Sequence, residues 1–413
     1  MLASGSVNAG AGWPTWSMAF FARPLEPILI QIHDVQAVKH GFLGGLDARA
    51  FLARYWQKKP LLIRGAFPAF ADPLTPREVL RLAGDPDASA RLVQHRGKSW
   101  TLEHGPFSTR DLSRLPKRDW TVLVQDTNHF SDAAARLLER FDFIPHARVD
   151  DLMVSYAVPG GTVGPHVDSY DVFLLQGHGR RRWQLSTRKD VRFVPGMPLK
   201  ILQRFQAESE WELGPGDMLY LPPGVAHHGV ATTECLTWSV GFRAPSDREL
   251  VAGFLDFLHD RLAPKGHYAD PGARAPRHAG EVPREMVRHV SKALGGIRWT
   301  QRDVDEFAGR FLSEPKAHVV FDPPAKPLPL ARFQASAARN GLVLDRRSRF
   351  FFSGRMFFMN GEAVAAAGAA RELRALADAR ALPGPVKASA AFWRLAHGWY
   401  VQGFLHPVGG NSR

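Results

Sequence analysis

Cysteine is nearly missing from this 413-residue chain, which holds only Cys235. One thiol cannot close an internal disulfide, and that usage fits a reducing cytoplasm. Cys235 lies between Glu234 and an apolar run, where a buried structural thiol is expected. Long apolar stretches are absent too: no run reaches the roughly eighteen residues that cross a bilayer as a helix. The opening residues are small and polar, without a basic start or a long apolar core, so they make a poor signal peptide. Residues 1–40 read as a flexible N-terminal extension, or as a start placed ahead of a true one at Met18. Negative charge is in deficit, with 40 Asp and Glu against 53 Lys and Arg, a net +13. The excess favours acidic partners such as RNA or ribosomal particles, though only non-specifically. An Arg- and Ala-rich composition follows equally well from genomic base bias. With 45% hydrophobic residues the chain can bury a large core, in two or three domains.

What is present is a metal-ligand pattern. His166-Val167-Asp168 places a His and an Asp two apart, on one face of a strand. About one such triplet is expected by chance in a chain with this many histidines, so the surroundings carry the weight. An apolar run from Leu152 precedes it, followed by Pro159-Gly160-Gly161 and Gly164-Pro165. Glycines there let backbone pass close to a metal. Beyond it, Gly216 to His227 reads as a strand, a Pro222-Pro-Gly224 turn and a further histidine. Two neutral imidazoles and one carboxylate, with three adjacent positions open, form the facial triad of non-haem Fe(II) oxygenases. His228 competes with His227 for the third place. The spacing from Gly216 matches the second motif of cupins and selects His227, although Ala231 stands where cupins usually carry Asn.

A facial-triad iron needs an electron donor, most often 2-oxoglutarate, whose far carboxylate needs a cation. Alternation over Arg180–Leu185 puts Arg181, Trp183 and Leu185 on one face and Arg180, Arg182 and Gln184 on the other. A guanidinium among Trp and Leu is costly to bury unless an anion answers it. Three arginines on a solvated edge strand are the plain alternative. Ser155, eleven residues before His166, is a candidate to donate a hydroxyl to the same carboxylate, although spacing alone does not select it. Tyr170 and Asp171, just past the triad, are candidates for the substrate mouth, where an acid suits a cationic side chain. Asp171 in a turn is the rival reading.

The stretch Asp151 to Gly177, the run Gly179-Arg-Arg-Arg-Trp183 and Ser239-Val-Gly-Phe-Arg-Ala-Pro245 resemble the bacterial ribosomal oxygenases. Phe51 to Pro60 and His104-Gly-Pro-Phe107 extend the likeness, which covers about residues 45 to 270 well and the C-terminal third loosely. These are JmjC-type, cupin-4 enzymes that act on an arginine of the sixteenth protein of the large ribosomal subunit. The resemblance implies iron on His166, Asp168 and His227, with 2-oxoglutarate held by Arg181 and Ser155 and O2 as the oxidant. It implies an α+β fold: a double-stranded β-helix, a helical dimerisation segment giving a homodimer, and a C-terminal winged-helix-like domain. The first forty residues have no counterpart in it, and the C-terminal region is unusually rich in Arg.

Domains are accordingly expected at 41–245 (JmjC/cupin catalytic), 246–322 (helical) and 323–413 (winged-helix-like). Strands are expected at Ile28–Ile32, Leu61–Arg64, Trp120–Gln125, repeatedly from Leu152 to Phe242, and at Arg349–Ser353 and Met356–Met359 around a Gly354 turn; helices at Leu46–Gln57, from Thr75, and at Ala133–Phe141. Further helices are expected at Asp247–Leu262, Pro283–Leu294, Arg302–Leu312, and near 363–378 and 386–397. The last of these is apolar, not basic, which argues against specific DNA binding. Three functions compete: arginine hydroxylation of the ribosomal protein, JmjC hydroxylation or demethylation of another protein, and metal binding by a cupin without turnover.

Overall fold

The structure, a computed structural model, describes residues 31–32, 41–97, 99–188 and 191–409. The expected N-terminal extension and most of the strand at 28–32 therefore lie outside the described residues. Short β-branched and aromatic runs cut by Gly and Pro give thirteen strands in the first part of the chain. In order they are β1 (Gln31–Ile32), β2 (Leu61–Ile63), β3 (Ala90–Arg96), β4 (Ser99–His104), β5 (Trp120–Val124) and β6 (Val149–Ala157). Then come β7 (His166–Val167), β8 (Asp171–Gln176), β9 (Arg181–Ser186), β10 (Ser209–Leu213), β11 (Met218–Leu221), β12 (Ala226–Ala231) and β13 (Cys235–Phe242). They form a nine-stranded sheet, β1-β2-β11-β8-β13-β6-β5-β3-β4, and a four-stranded one, β10-β9-β12-β7. The two make the jelly roll of a double-stranded β-helix.

Alternation decides which side chains enter it. Leu152, Val154 and Tyr156 of β6 join Phe173, Leu175, Tyr220 and Trp238 in the main apolar core on the outer face of the large sheet. Helices α1 (Ala48–Arg54), α2 (Pro76–Leu82), α3 (Thr109–Ser113) and α4 (Asp132–Leu138) belong to this part of the chain, and Phe51, Val79, Ala134 and Leu137 enter the same core. Each fully buried large apolar side chain contributes about 1.5–3 kcal/mol. Thr75 and Glu78 close a capping box on α2 with Pro76 in its first turn, as the sequence predicts. Helix α1 is shorter than expected, and α4 stops at Leu138, the chain tightening into a 3-10 turn over Glu139–Phe141. The odd-numbered residues of β6 face the small sheet instead.

Helices α5 (Asp247–His259) and α7 (Gln301–Ser313) pack through Phe254, Phe257 and Phe307, while α6 (Arg284–Leu294) buries none of its side chains. The C-terminal part comprises α8 (Leu330–Asn340), β14 (Gly341–Leu344), β15 (Phe350–Ser353), β16 (Met356–Met359), β17 (Glu362–Val364) and α9 (Ala370–Ala379). After these come β18 (Ala381–Pro383), α10 (Ala390–Val401) and β19 (Leu405–Pro407). Two corrections fall here. The helix expected at 363–378 is a strand, a turn and then α9, because Ala367 and Gly368 take positive φ and break the chain between them. The second helix runs over 390–401, and its Phe392, Trp393 and Trp399 enter a core of their own with Phe333 and Phe350. Helix α8 and strands β14, β18 and β19 were not foreseen by periodicity; each strand is only three or four residues long.

Candidate metal and co-substrate site

β7 and β12 are hydrogen-bonded neighbours, and their register sets His166 directly opposite His227. The ring centroids are 4.2 Å apart. Asp168 follows β7, its Oδ1 3.8 Å from His166 Nε2 and its Oδ2 3.5 Å from His227 Nε2. One ligand atom from each residue lies within 4.8 Å of the others. Backbone fixes the orientation. His166 Nδ1 is 2.9 Å from the Gly164 carbonyl and His227 Nδ1 is 3.0 Å from that of Val225. A carbonyl can only accept, so Nδ1 carries the proton in each ring and Nε2 keeps its lone pair for the shared space. Burial, reinforced by the charge of His166, lowers the His227 pKa to about 4, so this imidazole is neutral at pH 7 as a metal ligand must be. The Gly224 N–H donates to the Asp168 carbonyl at 2.9 Å, tying the Pro-Pro-Gly turn to the carboxylate's own backbone. Neutral nitrogens and one carboxylate suit a ferrous ion. His228, the rival, lies on the opposite face of β12 against Phe205, away from this cluster.

The predicted alternation along β9 holds: Arg181, Trp183 and Leu185 are buried while Arg180 and Arg182 are exposed. Arg181 is 4% exposed, yet its Nε has no partner. Its Nη2 reaches Cys235 Sγ at 3.8 Å, a weak acceptor, and its guanidinium lies 5.8 Å from the Trp183 ring centre. Leaving a buried cation this poorly answered costs several kcal/mol, which an anion would recover. Ser155 pairs with Thr237 on β13, and Thr237 in turn with Gln176 on β8. Ala157, two residues beyond Ser155 and on the same side, packs with Ala231 and Cys235. Ser155 thus shares the inter-sheet space with Arg181. Trp183 fits there only because residue 229 is Gly, since a Cβ would sit 2.7 Å from the indole.

Tyr170 is 39% exposed and lies beside the triad, its phenol held above the usual range by burial and by the charges of Asp168 and Asp151. Asp171 does not line a mouth. It is fully buried and accepts from the Tyr220 hydroxyl at 2.6 Å and Gln57 Nε2 at 3.0 Å, with Arg148 Nη2 at 3.5 Å. Its place on β8 turns it toward the helical layer, where those three partners satisfy it. The acid that does face inward is Asp151. A Cβ built on Gly241 would lie 3.4 Å from Asp151 Oδ1 and 3.8 Å from the Tyr170 ring. Alternation of Asp151, Met153 and Ser155 with Leu152, Val154 and Tyr156 was the signal that could have found it.

A JmjC domain model matches residues 136–250 and a ROXA-like winged-helix model matches 296–406. The ribosomal protein uL16 3-hydroxylase of Escherichia coli is 37% identical over 318 residues, spanning 76% of this chain and 84% of that one. A probable ribosomal oxygenase of Haemophilus influenzae is 42% identical over 207 residues, about half of each chain (49% and 51%). The solved structure of YcfD, a ribosomal oxygenase from E. coli, superposes with a TM-score of 0.74 at 34% identity, over 88% of this chain and 98% of that one. YcfD in complex with cobalt and 2-oxoglutarate gives 0.73 at the same identity, over 88% and 99%. A jelly roll with a histidine–carboxylate triad and an attached winged helix thus defines the class. The chain belongs to the ribosomal oxygenases, a family of JmjC-domain proteins.

Proposed function

We propose that this protein is an Fe(II)- and 2-oxoglutarate-dependent dioxygenase that hydroxylates an arginine side chain of ribosomal protein uL16. The observation that carries it is one chamber with a complete triad at one level and an unanswered guanidinium, Arg181, at another. When bound, iron with 2-oxoglutarate and O2 supplies the oxidation that places a hydroxyl on an unactivated carbon, giving succinate and carbon dioxide. His166, Asp168 and His227 would hold the metal. Arg181 and Ser155 would anchor the far carboxylate through charge-assisted hydrogen bonds, which sets the co-substrate's direction in the barrel. Tyr170 and Asp151 line the mouth, where a planar cation finds an aromatic face and a carboxylate. With ferrous iron and 2-oxoglutarate, uL16 should gain one oxygen on an arginine-bearing peptide, read by mass spectrometry. Succinate formed without a modified uL16 peptide would point to another protein substrate. Formaldehyde release would point to demethylation, and no succinate at all would leave a metal-binding cupin.

The proposal includes a homodimer. Met286, Val287, Val290 and Leu294 make an exposed apolar stripe on α6, with Val251 and Leu255 exposed on α5. Such a face calls for a second copy. Val287→Glu combined with Val290→Glu should halve the mass measured by sedimentation. Domains at 41–245, 246–322 and 323–413 belong to the same reading; the winged-helix match from 296 also takes in α7. A cytoplasmic location accords with a ribosomal substrate and a single buried thiol. No helix among the described residues is long and apolar enough to cross a membrane.

A further inference from the structure

Strand β6 reads inward at every second residue: Ala157, Ser155, Met153, Asp151. Each step is about 6.7 Å. Ser155 lies at the level of Thr237 and Gln176, whereas Asp151 pairs with Gly241 at the other end, beside Tyr170. The two oxygens of Asp151 face different ways. Oδ1 is the atom nearest the Cβ position of Gly241, on the Tyr170 side. Oδ2 accepts from the Asp126 N–H at 3.2 Å and lies 3.8 Å from Lys316 Nζ. Lys316 comes from far along the chain, in the segment between α7 and α8. It is the only cation in salt-bridge range of Asp151 among the described residues. The same ammonium is 2.9 Å from Asp126 Oδ1 and 3.3 Å from Asp150 Oδ1, and His318 Nε2 is 3.0 Å from Asp126 Oδ2.

We propose that Lys316 is a positioning residue for substrate recognition: it favours the ionised form of the Asp151 carboxylate, with Oδ1 turned to the mouth, so the C-terminal half of the chain sets the affinity for a cationic side chain. The inference rests on the arginine reading above. Burial holds the Asp151 pKa at about 7 even with Lys316, the main charge opposing it, in place. The lysine is itself held above its usual range: burial works against its charge, and Asp151, Asp126 and Asp150 outweigh burial. Every charged group facing Asp151 enters this balance. Asp126 and Asp150 raise it further, and Tyr170 stands beside it. Arg91 Nη2 touches Met153 on the same face, and Arg349 donates to the Val149 carbonyl at the start of the strand. Without Lys316, Asp126 and Asp150 would crowd Asp151 with no cation in salt-bridge range of it, and Asp151 would hold its proton more tightly through neutrality. A protonated acid no longer attracts a guanidinium.

The test uses the full-length protein loaded with iron, a uL16 peptide carrying the arginine, and initial rates from pH 6.5 to 8.5. Lys316→Met should raise the peptide KM about tenfold at pH 7, with kcat within about twofold and the 2-oxoglutarate KM unchanged. That excess should shrink as pH rises and Asp151 loses its proton again. Lys316→Arg should restore the wild-type KM. Asp151→Asn should raise KM and flatten its pH dependence, and adding Lys316→Met to it should change little more. An unchanged KM in Lys316→Met overturns the inference, as does a loss that is independent of pH or fully additive with Asp151→Asn, since that marks only a structural tie. A wild-type protein that consumes 2-oxoglutarate yet leaves the peptide unmodified overturns the arginine reading, and this inference with it. A wild type that modifies the peptide beside an unaffected Lys316→Met overturns this inference alone.

Discussion

Phe333, Phe350, Phe392, Trp393 and Trp399 fill the C-terminal core with rings, whereas the barrel interior holds Arg181, Ser155, Thr237, Gln176 and His227 beside Trp183 and Leu185. Five buried side-chain nitrogens among the described residues have no partner, and four lie in the barrel part: Arg91 Nε, Arg181 Nε, Trp183 Nε1 and His228 Nε2. The fifth, Asn360 Nδ2, is in the C-terminal part. A dry core is stable by itself. A chamber with unanswered polar groups is less stable empty and is completed by what it binds.

Breaking the chamber at its metal should have the largest effect. His227→Ala, or Asp168→Ala, is expected to abolish succinate formation, and chelation of the metal should do the same reversibly. Next comes the dry core: Phe333→Ala should cost about 3–5 kcal/mol in urea unfolding, because a buried ring leaves a cavity. Arg181→Met sharpens the contrast. It should raise the 2-oxoglutarate KM roughly 10- to 100-fold, the worth of a charged hydrogen bond of about 1.5–3 kcal/mol. Yet the ligand-free protein should melt no lower, since a poorly partnered buried charge is removed. A clear fall in Tm would show that Arg181 serves the fold instead. The smallest effect concerns His129, whose pKa burial lowers to about 4. Its unfolded value is near 6.5. The unfolded chain therefore binds the extra proton first, so stability is full above about pH 6.5 and declines toward 4. His129→Gln should flatten part of that decline in Tm.

The triad was legible because its information is local. His166 and Asp168 are two apart on one face, and a strand and turn of fixed spacing deliver His227 opposite. Arg181 was legible by the same alternation. Asp171 misled because its environment is not local: Tyr220 and Gln57, far away in the chain, satisfy it on the other side of the sheet. Alternation along β6 marks Asp151 as inward-facing, but what it meets there depends on Gly241, Tyr170 and Lys316, which are distant in the chain. In the C-terminal part the Gly354 turn marked β15 and β16 as strands, whereas residues 363–378 join a strand, a turn and a helix in a run too short for its periodicity to separate them.

One strand, β6, carries both Ser155 and Asp151 on its inward side, with Leu152 and Val154 between them packed outward. Inserting or deleting a single residue between them would reverse the phase of everything beyond it. Either the serine would be thrown out among the aromatic rings or the carboxylate would be. Length change in this stretch therefore keeps the phase only in pairs, and a pair inserted or removed would shift the two residues apart or together by ~7 Å. The barrel is in this respect a gauge of fixed graduation, with serine and carboxylate held two steps apart along one strand.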